Sequence, residues 1–113
     1  LKSQMAIECI WLKNDEQLAD ALFKELKVIC LDPTGEMLES EQFSKLVHRY
    51  FEEGGARLAF AIGGAEGFTQ EIKSKYPLIS LSRMTLTHQM TRLVLVEQIY
   101  RAVEIAKGSK YHK

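Results

Sequence analysis

Four short apolar runs alternate along this chain with stretches in which hydrophobic residues recur every three or four positions. The runs predict β-strands, and they lie at residues 5–12, 28–31, 58–62 and 78–81. The periodic stretches predict helices, one following a capping Asn14 with apolar positions through Leu26, and three at residues 40–53, 69–75 and 89–106. This alternating order is typical of an α/β protein with a parallel sheet and helices on both faces.

Turn-forming residues separate the predicted elements. Asp32-Pro33-Thr34-Gly35 is expected to end the second strand, and Gly54-Gly55 to end the second helix, whose predicted cap is Ser40. Gly108 follows the last helix. The second helix should bury an apolar stripe made of Phe43, Leu46, Val47, Tyr50 and Phe51.

The carboxyl ends of the predicted strands are where a parallel sheet binds ligands. Three loops are expected there, at residues 31–35, 63–67 and 82–87. The segment Gly63-Gly64-x-x-Gly67 could admit a ligand to free backbone N–H groups, although its spacing fits neither a dinucleotide motif nor a P-loop. The hydroxyl-rich loop at 82–87 suits the binding of a flat heterocycle through main-chain hydrogen bonds. The alternative is a loop without a ligand, in which Thr87 is the N-cap of the last helix.

Charge balance narrows the classes of partner. The 113 residues contain 15 Lys and Arg and 15 Asp and Glu, so the formal net charge is zero. A non-specific nucleic-acid binder is usually basic, so a partner recognised by its shape fits better. No run reaches the ~20 apolar residues of a membrane span, and no signal peptide is visible. With Cys9 and Cys30 in apolar runs, as expected of buried reduced thiols, the sequence favours a cytoplasmic protein, or an organellar one in a eukaryote.

Chemically active side chains concentrate in the last third of the chain. His88 begins the last helix, and Glu97 and Arg101 stand four residues apart on it. That spacing indicates either a surface ion pair or a charge pair at the rim of a site. No third ligand appears at zinc-like spacing, so no metal is expected.

The ordered set of motifs from residue 28 to residue 113 resembles one family, RlmH, within the SPOUT class of methyltransferases. The motifs are Leu31-Asp32-x-x-Gly35, Ile62-Gly63-Gly64-x-x-Gly67, Leu81-Ser82-x-Met84-Thr85-Leu86-x-His88-Gln89-Met90-x-Arg92, Glu97-Gln98-Ile99-Tyr100-Arg101-Ala102 and Tyr111-His112-Lys113. The resemblance implies a C-terminal trefoil knot, S-adenosyl-L-methionine as cofactor and an obligate homodimer. It further implies methylation of N3 of a pseudouridine in large-subunit rRNA on the assembled ribosome.

The resemblance also assigns roles by position. The cofactor would be held by Leu31, Gly63, Gly64, Ser82, Arg83, Met84, Thr85, Leu86 and Thr87. The acceptor base would lie near a second group, partly supplied by the other subunit: His88, Glu97, Arg101, Tyr111, His112 and Lys113. Glu97 or His88 would take the N3 proton, and Arg101 or Lys113 would stabilise negative charge on the base.

One SPOUT domain is expected over residues 1–113, with an N-terminal strand–helix unit that is shorter than the family's. Two other interpretations of the function stay open. The chain could be a non-catalytic dimer that keeps the fold, or a SPOUT methyltransferase that acts on tRNA.

Overall fold

A parallel sheet of three strands forms the centre of the computed structural model, which describes residues 15–63, 67–82, 84 and 86–108. The strands are β1 (Val28–Met37), β2 (Ala59–Ile62) and β3 (Leu78–Ser80). The helices are α1 (Asp15–Phe23), α2 (Ser40–Glu53), α3 (Gln70–Lys75) and α4 (His88–Ala106). The strand expected at 5–12 and the cap expected at Asn14 lie outside the described residues.

The strand order β2-β1-β3 places β1 in the centre. Its first residues are fully buried, as a continuous apolar run in a parallel sheet predicts. Leu31 pairs with Ile62 on one side and with Ile79 on the other. Because all three strands run in the same direction, their carboxyl ends meet along one edge of the sheet, just beyond these three residues.

The prediction that the turn at 32–35 ends β1 was wrong. The strand continues to Met37, and both Leu31 and Glu36 pair with Ile79, so the four residues between them leave the ladder and return to it. Gly35 shows how tight this return is, since a Cβ there would stand 2.6 Å from the carbonyl carbon of Leu78. The turn residues therefore produce a local excursion within the strand, because the chain re-pairs with β3 immediately afterwards.

Side chains of β1 alternate between two hydrophobic cores, as the two-residue period of a strand requires. Ile29 and Leu31 face a core formed with α2 and α4, whose buried members also include Phe43, Val47, Ile79, Leu95, Ile99 and Ala102. Val28 and Cys30 face a second core with α1 and α3, which adds Leu22, Ala61, Phe68 and Ile72. Helices therefore cover both faces of the sheet, as the pattern of elements predicts.

The long helices agree with the sequence in most respects. Phe43 and Val47 of α2 are buried, and Leu46 and Tyr50 pack against them, which confirms four of the five residues of the predicted stripe. Phe51, the fifth, is half-buried and belongs to neither core. The N-cap of α2 is Glu39 and not Ser40; the Glu39 N–H donates to Oε1 of Gln42 at 2.9 Å.

The start of α4 agrees with the prediction, whereas the end of α1 does not. Thr87 caps α4 as expected, with its Oγ1 accepting from the Met90 N–H at 3.1 Å. Leu26, expected on the apolar side of α1, is 81% exposed because that helix ends at Phe23. Across the described ranges, no helix is long and apolar enough to cross a membrane.

Candidate functional site

The three loops singled out by the sequence begin at the same edge of the sheet. Leu31, Ile62 and Ile79 are abreast in the ladders, so the residues that follow them line one edge. Leu31 itself is buried there, Gly63 follows β2 directly, and Ser82 lies just after β3. The structure thus assembles the start of each predicted cofactor-binding segment in one place.

The turn after β2 brings two stretches of backbone into close contact. A Cβ at Gly63 would stand 3.1 Å from the carbonyl carbon of Gly67 and 3.3 Å from the amide nitrogen of Phe68. Gly67 has a φ of 80°, a conformation that side chains rarely adopt. Any side chain at Gly63 would therefore press on the returning backbone. Gly64 lies outside the described residues.

The loop after β3 is held by its own hydroxyl groups. Ser80 Oγ donates to the carbonyl oxygen of Ser82 at 2.7 Å, and the Met84 N–H donates to Ser82 Oγ at 2.9 Å. The Met84 side chain is exposed, and Leu86 is half-buried. The described part of this loop offers the apolar side chains of Met84 and Leu86 beside these hydrogen bonds. Arg83 and Thr85 lie outside the described residues.

Asp32 is a residue whose importance the sequence analysis missed. Its side chain is only 5% exposed, and Oδ2 accepts from the Thr34 N–H at 2.9 Å and from the Thr34 hydroxyl. Lys73 Nζ on α3 lies 3.9 Å from the same oxygen. A charged residue placed directly after the buried apolar run at 28–31 was the signal that could have identified it.

The buried thiol next to this carboxylate is neutral. Burial, and then the negative charge of Asp32, raise the pKa of Cys30 to about 11. Cys30 is free and fully buried, which confirms the prediction of a buried reduced thiol. Cys9 lies outside the described residues.

The charge pair on α4 belongs to a chain of hydrogen bonds. Arg101 Nη2 donates to Glu97 Oε2 at 2.7 Å, and Gln98 Nε2 donates to Glu97 Oε1 at 2.9 Å. Gln98 Oε1 in turn accepts from Ser40 Oγ at 2.9 Å. Glu97 and Arg101 are both partly buried, so this is not a fully solvated surface ion pair. The sequence analysis did not identify Ser40 or Gln98 as site residues.

The remaining predicted residues do not all meet in one subunit. His88 is exposed at the first turn of α4, nine residues before Glu97. At the rise of an α-helix, that separation is roughly 13 Å. One acceptor atom therefore cannot contact both side chains of the same chain. Tyr111, His112 and Lys113 lie outside the described residues.

A small cavity connects the loop edge to this hydrogen-bonded chain. Its volume is about 170 Å³, and its lining includes Ser40, Ser80, Leu81, Val94 and Gln98. A larger groove of about 460 Å³ lies between α2 and the end of α4, beside Lys45 and His48, and contains none of the strand ends. In the part of the chain that the structure describes, no cluster of three or more His, Cys, Asp or Glu could hold a metal ion.

Several known proteins have sequences related to that of this chain. The chain matches the family described as "Predicted SPOUT methyltransferase" over residues 2–112. It is 54% identical over 113 residues to "Ribosomal RNA large subunit methyltransferase H" of Protochlamydia amoebophila, which covers the whole chain and 81% of that relative. A protein with the same name in Geotalea daltonii is 39% identical over 95% of the chain and 71% of the relative. Another, in Prochlorococcus marinus, is 43% identical over 89% of the chain and 68% of the relative.

Proposed function

Because this chain belongs to the RlmH family of SPOUT methyltransferases, we propose that it transfers a methyl group from S-adenosyl-L-methionine to N3 of a pseudouridine in large-subunit rRNA. The observation that carries the proposal is the assembly of Leu31, Gly63 and the loop starting at Ser82 along one sheet edge. Relatives named as large-subunit rRNA methyltransferases align with this chain over nearly its full length.

The residues at this edge fit such a cofactor. The tight turn at Gly63 leaves no room for a side chain, and Met84 and Leu86 supply apolar surface for a heterocycle. The cofactor would be held by Leu31, Gly63, Gly64 and the loop 82–87. When bound, it supplies a methyl group already activated on a sulfonium, so the protein mainly has to position the acceptor.

Glu97 is the proton acceptor in this proposal. The N3–H group of the pseudouridine must lose its proton. A protein group that is already oriented towards this proton accepts it most efficiently. Glu97 is partly buried and oriented by two donors, whereas His88 is exposed. Arg101 would stabilise negative charge on the carbonyl oxygens of the base.

A homodimer completes the proposed site. Four side chains on one face of α4 are between 37% and 62% exposed although they are large and apolar: Met90, Leu93, Val96 and Tyr100. We call them the α4 stripe. A second copy of the chain would cover the stripe and could bring its own His88 or its residues 111–113 to the base. A ribosomal acceptor would place the dimer in the compartment where ribosomes work, the cytoplasm or an organelle.

Methyl transfer from tritiated cofactor tests the proposal. Ribosomes from a strain that lacks its own enzyme, separated subunits, free rRNA and tRNA would be compared as acceptors. We expect labelling of the large-subunit rRNA within assembled ribosomes, and loss of labelling with Glu97→Gln. Labelling of tRNA alone would favour the tRNA methyltransferase. Failure to bind the cofactor by calorimetry at millimolar concentration would favour the non-catalytic dimer.

A further inference from the structure

We propose that Gln98, held by Ser40, is a positioning residue that fixes the orientation of the Glu97 carboxylate. The inference rests on the proposed function, because it takes Glu97 to be the group that accepts the N3 proton. The contacts of three elements carry it: the start of α2, the middle of α4 and the end of β3.

The hydrogen bonds assign a direction to the Gln98 amide. A carboxylate oxygen only accepts, so the atom of Gln98 that faces Glu97 must be Nε2. The Gln98 oxygen then points to Ser40, whose hydroxyl can rotate to donate to it. The flipped amide would place its oxygen against a carboxylate oxygen, which is repulsive. The hydrogen bonds from Ser40 to Gln98 and from Gln98 to Glu97 can therefore both form in only one orientation of the Gln98 amide.

The backbone that carries these groups is fixed by packing. Leu95 and Ile99, on either side of Gln98 along α4, are buried in the core. Ser40 stands at the first position of α2, 58 residues away in sequence, and α2 is joined to α4 again where Ser44 Oγ donates to the Ala102 carbonyl at 2.8 Å. The carboxylate is thus oriented with respect to α2 as well as to its own helix.

Gln98 also lies next to the edge of the sheet where the cofactor is proposed to bind. Its side chain lines the cavity of about 170 Å³ together with Ser80 and Leu81, the residues at the carboxyl end of β3. Without Gln98, Oε1 of Glu97 would lose the donor that comes from this side. Arg101 would still donate to Oε2, so the loss of Gln98 removes one donor to this carboxylate and keeps another.

The test compares Gln98→Met, which keeps the volume and removes both hydrogen bonds, with the wild-type protein. We expect kcat to fall by about tenfold or more, because the proton acceptor is no longer held in the orientation that the reaction requires. KM and cofactor affinity should change little. The acidic limb of the pH profile of kcat/KM should move to higher pH, because a lost donor raises the pKa of the acceptor carboxylate.

Three further variants separate positioning from structure. Gln98→Glu keeps the shape but faces Glu97 with a second carboxylate, so the acidic limb should move further upward. Ser40→Ala should give an intermediate effect. Gln70→Met makes the same substitution at an exposed position on α3, across the sheet, and should change nothing. If Gln98 had only a structural role, its replacement would lower the fraction of active protein but leave the acidic limb of the pH profile where it is. That result would overturn the inference.

Titration of the Glu97 carboxyl carbon by NMR distinguishes the two proposals, because it requires only folded protein. An upward shift of its pKa in Gln98→Met supports the inference whether or not ribosomes are the acceptor. An unchanged titration, with methyl transfer intact in the wild type, would refute the positioning role and leave the proposed function standing. Absence of methyl transfer in the wild type would refute the proposed function alone.

Discussion

Asp32 shows how one buried charge organises its surroundings. It follows four buried apolar residues, and its carboxylate holds Thr34 through two hydrogen bonds while facing Lys73. The sequence predicted a turn at this position, and the turn chemistry is real. What it could not indicate is the depth of burial, since that depends on α3 covering the carboxylate from 40 residues downstream.

Asp32→Ala should destabilise the protein. Hydrogen bonds to a charged group contribute about 1.5 to 3 kcal/mol, so we expect a loss of roughly 2 kcal/mol in the free energy of unfolding in urea. Asp32→Asn, which keeps an acceptor for Thr34, should lose less. The control is Asp20→Ala, at an exposed position on α1. Equal stabilities of the Asp32 and Asp20 variants would show that the buried carboxylate is unimportant.

The Cys30 thiol should make stability depend on alkaline pH. Its pKa is raised from 9.0 to about 11, so between these values the folded protein keeps a proton that the unfolded chain has lost. The stabilising contribution is complete below pH 9 and disappears as the pH rises through 11. Unfolding free energies of the wild type should therefore fall more steeply over this range than those of Cys30→Ala. Parallel curves would contradict the assignment.

At the scale of elements, local pattern predicted the bounds of α2, although not its N-cap, and it misjudged the end of β1. The helix carries its own apolar stripe, its stop signal and its length in one continuous segment, Ser40–Glu53. The second half of β1 exists because it pairs with β3, more than 40 residues further along the chain. No local signal reports such a pairing, so the turn residues alone suggested that the strand had ended.

Gly35→Ala should be more damaging than a comparable change elsewhere. The new Cβ would stand 2.6 Å from the Leu78 carbonyl carbon and 2.7 Å from the Ile79 amide nitrogen, and backbone atoms cannot move aside cheaply. Overpacking of this kind costs about 1 to 3 kcal/mol, and we expect the upper end. Gly55→Ala is the matched control: its φ is 70° but nothing lies within 4 Å, so it should cost about 1 kcal/mol. Equal losses in urea unfolding would refute the clash.

The whole molecule combines a two-sided core with a helix that is apolar on more than one face. Leu95, Ile99 and Ala102 of α4 fill the core, whereas the α4 stripe points away from it. The sequence predicted α4 and the parallel sheet covered on both sides. It could not provide the Ser40–Gln98–Glu97 contacts, since these depend on how α2 and α4 come together. The trefoil knot that the family resemblance implies stays a prediction.

The α4 stripe should hold the dimer together. Leu93→Glu would place a charge in the centre of the proposed interface, and we expect dimer affinity to fall by at least about tenfold. Phe23→Glu is the control, because Phe23 is 79% exposed but lies on α1. Sedimentation velocity over a range of concentrations would measure both. A Leu93 variant that sediments like the wild type would place the interface elsewhere.

The double pairing of Ile79 has a consequence for how this protein can vary. Leu31 and Glu36 both align with that one residue, so the intervening segment begins and ends at the same height in the sheet. An insertion between Thr34 and Gly35 would lengthen the excursion without separating Asp32 from Thr34 and without shifting either ladder by a position. The length of the segment between Leu31 and Glu36 can therefore change without changing the register of β1. Insertions could alter this edge of the site while the central strand keeps its pairing.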